Sequence, residues 1–185
     1  SQNPRFSDSW LTDIHMDRTG TLWVTTWNKG IYEFDHNTQT FRFYTHRGDI
    51  PGGLSTNRLF GMFEDRGGIL WFGTGGAGLN KLVPRTRVFS VYTYQAGIPN
   101  SLREKSANGI YKEPGGPLWI GTQSNLSRYD ATTDTFTHFR ADPGNPRTIS
   151  NHTILAITPS RKRPKNLWIG TRHGLNLFDT RTGTA

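Results

Sequence analysis

Four short loops of this 185-residue chain carry side chains suited to holding a ligand: Trp27-Asn28-Lys29, Gly75-Gly76-Ala77, Gln123-Ser124 and Arg172-His173. An aromatic ring, amides and cations on one rim would suit a carbohydrate or a small anion. Trp27, Asn28, Lys29, Gln123, Ser124, Arg172 and His173 are therefore the candidate ligand-binding residues. Loops also vary without function, so their composition alone does not decide the matter.

Other chemistry finds little support. The six histidines, at 15, 36, 46, 138, 152 and 173, show no two-histidine spacing with a carboxylate nearby, as a zinc site would need. His15 and Asp17 share a predicted strand, but an aspartate capping the following turn explains more. Cysteine is absent, which removes disulfides and thiolate metal sites and fits either redox compartment. Neither Gly-x-Ser-x-Gly nor a Gly-x-x-x-x-Gly-Lys phosphate loop occurs. The sequence thus points to no catalytic residue, no metal and no cofactor.

The formal charge is +8, from 22 Lys and Arg against 14 Asp and Glu. A basic surface favours anionic partners. The cations are scattered, however, apart from Arg161-Lys162-Arg163-Pro164-Lys165. That run is short, holds a proline and lacks interleaved aromatics, so it reads as a solvated turn and not as a nucleic-acid surface. No run of eighteen apolar residues is present to span a bilayer as a helix, and no signal-peptide pattern opens the chain.

The candidate loops follow a repeated strand. Leu22-Trp23-Val24-Thr25-Thr26, Leu70-Trp71-Phe72-Gly73-Thr74, Leu118-Trp119-Ile120-Gly121-Thr122 and Leu167-Trp168-Ile169-Gly170-Thr171 stand in phase. With Trp at 23, 71, 119 and 168, the steps are 48, 48 and 49 residues. Such a period marks a repeat architecture. Within each period four short segments, A to D, recur between turn residues. The first A–B turns, Asp17-Arg18-Thr19-Gly20 and Asp65-Arg66-Gly67-Gly68, begin with an aspartate that can bond the backbone ahead; Glu113-Pro114-Gly115-Gly116 follows the same plan. Gly30, Gly78 and Gly174 precede segment C, with Asn125 in the third repeat, which predicts left-handed backbone at all four positions.

Four antiparallel strands per period predict β-propeller blades. The blades run over 9–44, 57–94, 106–139 and, lacking its outer strand, 151–185, giving fifteen strands in an all-β propeller segment. Residues 1–8 align with a D–A connection, Phe6-Ser7 matching Leu54-Ser55. An unclosed array exposes strand edges, so the expectation is a piece of a longer propeller or half of a ring completed by a second copy. Trp23, Trp71, Trp119 and Trp168 are expected to form a packing layer between blades.

The composite pattern, Asp-x-x-Gly-x-Leu-Trp-[Ile/Phe]-Gly-Thr-x-x-Gly-Leu-Asn, resembles the two-component regulator propeller repeat across essentially the whole chain. Blade one departs from it with Thr25 for the glycine, and blade four with its swollen turn at 159–166. The resemblance implies an extracytoplasmic, periplasmic or extracellular, sensor module of a bacterial hybrid histidine kinase or diguanylate cyclase. Its remaining blades and output domain would lie outside these residues. Asp17 to Trp23 is also similar to the Asp box of sialidase propellers, itself a folding turn, and no arginine cluster or tyrosine nucleophile accompanies it. Two rivals stand beside the sensor: a propeller enzyme similar to streptogramin lyases or acting on glycans, and a fragment whose role is self-assembly into a closed ring.

Overall fold

In a computed structural model, residues 10–48 and 50–185 are described. The alignment of residues 1–8 with a D–A connection falls outside them. Fifteen strands and no helix occur among the described residues. The chain divides into two compact units between Tyr92 and Thr93.

The first unit holds two four-stranded antiparallel sheets. One contains β1 (Leu11–Met16), β2 (Leu22–Thr26), β3 (Ile31–Asp35) and β4 (Thr40–Tyr44) in sequential order. The other contains β5 (Leu59–Glu64), β6 (Leu70–Thr74), β7 (Leu79–Val83) and β8 (Val88–Tyr92). The second unit has a four-stranded sheet of β9 (Ala107–Lys112), β10 (Leu118–Thr122), β11 (Leu126–Asp130) and β12 (Thr135–Phe139). Its companion is a three-stranded sheet of β13 (Ile154–Pro159), β14 (Asn166–Thr171) and β15 (Gly174–Asp179). Sequential order follows from the short turns, since antiparallel neighbours need only a hairpin. These meanders are propeller blades, and the chain is an all-β propeller segment of four of them.

Each unit has its own core between its two sheets. Trp23, Ile31, Leu59, Phe72, Leu82 and Phe89 form the first, and Trp119, Ile154, Leu167, Ile169 and Phe178 the principal part of the second. The Trp strands β6 and β10 are buried along their whole length, which is why they read as apolar runs without alternation. A β-bulge recurs near the start of every A strand, between Leu11 and Asp13, Leu59 and Gly61, opposite Gly121 and Thr122, and between Ile154 and Ala156. Side chains tie neighbouring sheets together at this point. Asp13 Oδ2 accepts from the Met62 amide at 2.9 Å, and Asn108 Nδ2 donates to the Ile154 carbonyl at 2.9 Å.

The repeated glycine before Thr has a packing cause in the third blade. A Cβ on Gly121 would lie 2.5 Å from Ile154 Cγ2 of the facing sheet. Ahead of segment C, Gly30, Gly78 and Gly174 adopt positive φ, as the turn requires. Asn125 does not, contrary to the sequence expectation. Its buried side chain answers another demand, donating from Nδ2 to Ser127 Oγ at 2.8 Å and accepting at Oδ1 from Thr122 Oγ1 at 2.9 Å.

Candidate functional site

The threonine that ends each Trp strand shapes the loop after it. Thr26, Thr74, Thr122 and Thr171 donate from Oγ1 to the carbonyls of Gly30, Gly78, Asn125 and Gly174 at 2.7–3.0 Å. The same oxygens accept backbone amides within the loops, from Lys29, Ala77, Ser124 and His173. Every B–C loop is thereby closed on itself by one hydroxyl.

The residue before the first, second and fourth A strands meets these loops. The Trp27, Gly75 and Arg172 amides donate to the carbonyls of Trp10, Arg58 and Thr153 at 2.9–3.0 Å. Neighbouring blades also touch here within each unit. In the first, Arg58 Cζ lies 4.8 Å from the Trp27 ring centroid and Phe60 lies 5.2 Å from it, so the half-buried indole is already occupied by a cation and a ring. Asn28 and Lys29 are exposed beside it. In the second unit, Thr153 Oγ1 donates to the Gln123 carbonyl at 3.1 Å while its own carbonyl takes the Arg172 amide. One threonine thus joins the Gln123 and Arg172 backbones, whose side chains are exposed, and exposed His173 has its Nδ1 3.5 Å from Asn151 Nδ2. Ser124 is turned inward, with its hydroxyl on Asn125 Oδ1 at 3.1 Å.

Two pairings anchor the D–A connections at this end. Asn80 Nδ2 donates to Ser55 Oγ at 2.6 Å and Oδ1 accepts the Ser55 amide; Asn176 and Ser150 repeat the arrangement. Arg58, Thr153 and Asn151 are absent from the sequence-derived set. Their common position, at or just before the A strand, was the available signal.

Beneath the third-blade loop lies a buried polar cluster. His138 Nδ1 is 2.9 Å from Ser127 Oγ and 3.1 Å from Asn125 Nδ2. Burial pushes the imidazole below its ordinary 6.5, helped by the Arg103 and Arg140 charges and opposed by the Pro99 and Ser101 carbonyls. His15 does not meet Asp17; its Nε2 is 3.1 Å from Glu64 Oε2. Among the described residues no group of three His, Cys, Asp or Glu is placed to hold a metal.

The carboxylates of the A–B turns have a second task at the opposite end of the sheets. Asp17 Oδ2 accepts the Trp23 indole N–H at 2.8 Å, Asp65 Oδ2 that of Trp71 at 3.1 Å, and Glu113 Oε1 that of Trp119 at 2.8 Å. In the fourth turn Ser160 holds the corresponding place. Its amide bonds the Asn166 carbonyl six residues on, where Asp17, Asp65 and Glu113 bond carbonyls four residues on. Turn, Trp, Gly and Thr thus have distinct duties, in one motif repeated down the chain.

Residues 53–76 match the family model described as two component regulator propeller. Over those residues the chain is similar to a two component regulator propeller repeat. This propeller is also similar to the extracellular domain of a hybrid two component system protein from B. thetaiotaomicron, at 25% identity and a TM-score of 0.80. The match covers 95% of this chain and 24% of that one, so the propeller described here spans about a quarter of the relative's length. Virginiamycin B lyase from Staphylococcus aureus has the same fold, with 15% identity, a TM-score of 0.72, and coverage of 98% and 56%. So does the computationally designed Ika4 protein, with 12% identity, a TM-score of 0.61, and coverage of 97% and 98%. No curated protein matches the sequence.

Proposed function

We propose that this propeller segment is a recognition module of an extracellular two-component sensor, periplasmic or outward-facing, and that it binds ligand through its B–C loops. The observation that carries the reading is the contrast between constant braces and variable cargo. One threonine holds each loop in the same closure, while the residues between brace and strand differ in every blade. Similarity to the extracellular part of a hybrid two component system supports the signalling context.

An acidic saccharide is the ligand class that suits these side chains. In the second unit the exposed side chains of Gln123, Arg172 and His173 offer an amide, a fixed cation and an imidazole on loops whose backbones Thr153 joins. Arginine reads a carboxylate with two parallel donors, which lysine does not. Signalling would follow from differential affinity: a ligand that binds one arrangement of the sensor better shifts its population by that difference and no more. The remaining blades and the kinase or cyclase output belong to the longer protein this reading implies.

Calorimetric titration with neutral and uronic-acid oligosaccharides tests the proposal. Binding of the acidic series, reduced by Arg172→Ala by about 1.5–3 kcal/mol as for a hydrogen bond to a charged group, is the expected result. Equal heats for wild type and Arg172→Ala would sink it.

A further inference from the structure

The tryptophans differ in what covers them. Trp23, Trp71 and Trp119 are 2%, 4% and 0% exposed, whereas Trp168 is 38% exposed. On the reading above, a further blade of the longer protein would cover Trp168. Trp27 is another case, because it lies at the internal joint of the first unit, between two complete blades. Its cover is a guanidinium, with Arg58 Cζ 4.8 Å from the ring centroid.

Arg58 is fixed from its backbone outward. Its amide donates to Thr56 Oγ1 at 3.3 Å, and its carbonyl accepts from the Gly75 amide at 2.9 Å. The next residue, Leu59, is fully buried. Beyond the backbone the indole holds the exposed cation, and Phe60 packs on the same indole at 5.2 Å. A ring face attracts a cation but has no oxygen lone pair, so it orients the guanidinium and leaves the N–H donors unsatisfied. Among the described residues that guanidinium makes no hydrogen bond and no ion pair. Arg18, by contrast, is bound to Glu64, Arg42 and Arg87 to Glu33, and Arg181 to Asp179.

The internal joint of the second unit solves the same problem differently. There Thr153, just before β13, donates from its hydroxyl to the carbonyl of Gln123, just after β10. Arg58 and Trp27 hold the corresponding places, before β5 and after β2. One joint thus closes with a satisfied donor, the other with a cation whose donors stay available. The second-blade loop lies against the pair and adds almost no side chain to screen it. A Cβ on Gly75 would stand 3.2 Å from Phe60 Cζ and 3.6 Å from Arg58 Cβ, while one on Gly76 would meet nothing within 4 Å.

We infer that Arg58 reads a carboxylate at this recognition surface, and that Trp27 is the residue that positions it. The inference rests on the proposed role of the B–C loops and gives the indole a new part, holding an arginine where a sugar ring would otherwise stack. A guanidinium takes a carboxylate through two parallel N–H···O bonds. Holding it in place beforehand lowers the ordering cost of binding. The carboxylate belongs to an acidic saccharide or to a small free acid, two sources of one chemistry.

Labelling the whole chain with an arginine-selective dicarbonyl, read residue by residue by mass spectrometry, tests the inference. Trigalacturonate should protect Arg58, and a neutral galactose trimer should not. Exposed Arg66, in the second A–B turn, should label equally throughout. Succinate at the same carboxylate concentration supports the inference if it protects Arg58 as well, and then shows that no sugar is needed. The trigalacturonate concentration that half-protects Arg58 should rise about two- to fivefold in Trp27→Leu and return in Trp27→Phe, which keeps a ring face. Circular dichroism checks that both variants keep their strands. Protection of Arg172 without Arg58 would leave the loop reading standing and overturn this inference alone. Protection of neither arginine by either acid would overturn both. Protection of Arg58 by the neutral trimer, or an unchanged midpoint in Trp27→Leu, would also overturn it.

Discussion

At the scale of single residues, the turn carboxylate and the tryptophan six places later form the unit on which each of the first three blades is built. Asp17 accepts four hydrogen bonds, from the Thr19 amide and hydroxyl, the Thr21 amide and the Trp23 indole. Asp17→Ala leaves that buried indole unpaired and should cost about 3 kcal/mol, read as a fall in the urea midpoint. Ser160→Ala, in the turn without a carboxylate, should cost under about 1 kcal/mol. Burial raises the Asp17 pKa, but the bonds from Thr19, Trp23 and Thr21 outweigh it and hold the value below 3.8. A depressed carboxyl stabilises the fold above its unfolded pKa. That contribution is present above pH 3.8 and disappears as pH falls through the lower folded value. The backbone role of this aspartate was legible from Asp-x-x-Gly. Its indole partner was not, because spacing does not say that the ring nitrogen turns back over the hairpin. Asn125 shows the converse error: a residue tolerant of left-handed backbone was read as occupying it, whereas the side chain is the reason for its presence. Among the described residues the left-handed non-glycine positions are instead Gln39, Arg87 and Asp134, one in each of the first three C–D turns. Gln39→Gly should stabilise by about 0.5–1 kcal/mol in the same denaturation assay, since glycine avoids the Cβ strain there.

At the scale of elements, the same motif letter has different consequences in different blades. Gly121 faces Ile154 so closely that Gly121→Ala forces the two sheets apart and should cost about 1–3 kcal/mol. In Gly170→Ala the new Cβ meets Ala156 Cβ at an ordinary 3.6 Å, so the thermal midpoint should hardly move. The repeat was readable from Leu-Trp-x-Gly-Thr. Which copies of the glycine are strictly needed depends on what lies opposite, and that is a property of paired sheets. Strand β12 carries His138 against Asn125 and Ser127, and its lowered pKa makes it neutral near pH 7. The stability this neutral ring provides is present above 6.5 and is lost as pH falls through its depressed folded value. His138→Gln should flatten the pH dependence of the unfolding midpoint between about 7 and 5, a window set by the ordinary imidazole range.

At the scale of the whole molecule, the chain holds two cores made of different residues. Phe72→Ala, which opens a cavity worth about 3–5 kcal/mol in the first, should speed amide exchange through residues 10–92 before residues 93–185. Fifteen strands in sequential meanders could be anticipated because a 48-residue period with four turn clusters admits few other solutions. The uncovered fourth tryptophan could not, since Trp168 lies in the same words of sequence as its three buried counterparts. The candidate loops were singled out by their lack of symmetry, but the contacts of Arg58 and Thr153 with them enter only once neighbouring blades are side by side. The threonine braces carry one consequence for the history and redesign of such a chain. Each closes its loop on the loop's own backbone, so exposed side chains between brace and strand, such as Asn28, Lys29, Gln123, Arg172 and His173, are not what hold the loop closed. If these loops hold ligand as proposed, their side chains can be exchanged one blade at a time, by drift or by a combinatorial library, while the braces stay unchanged.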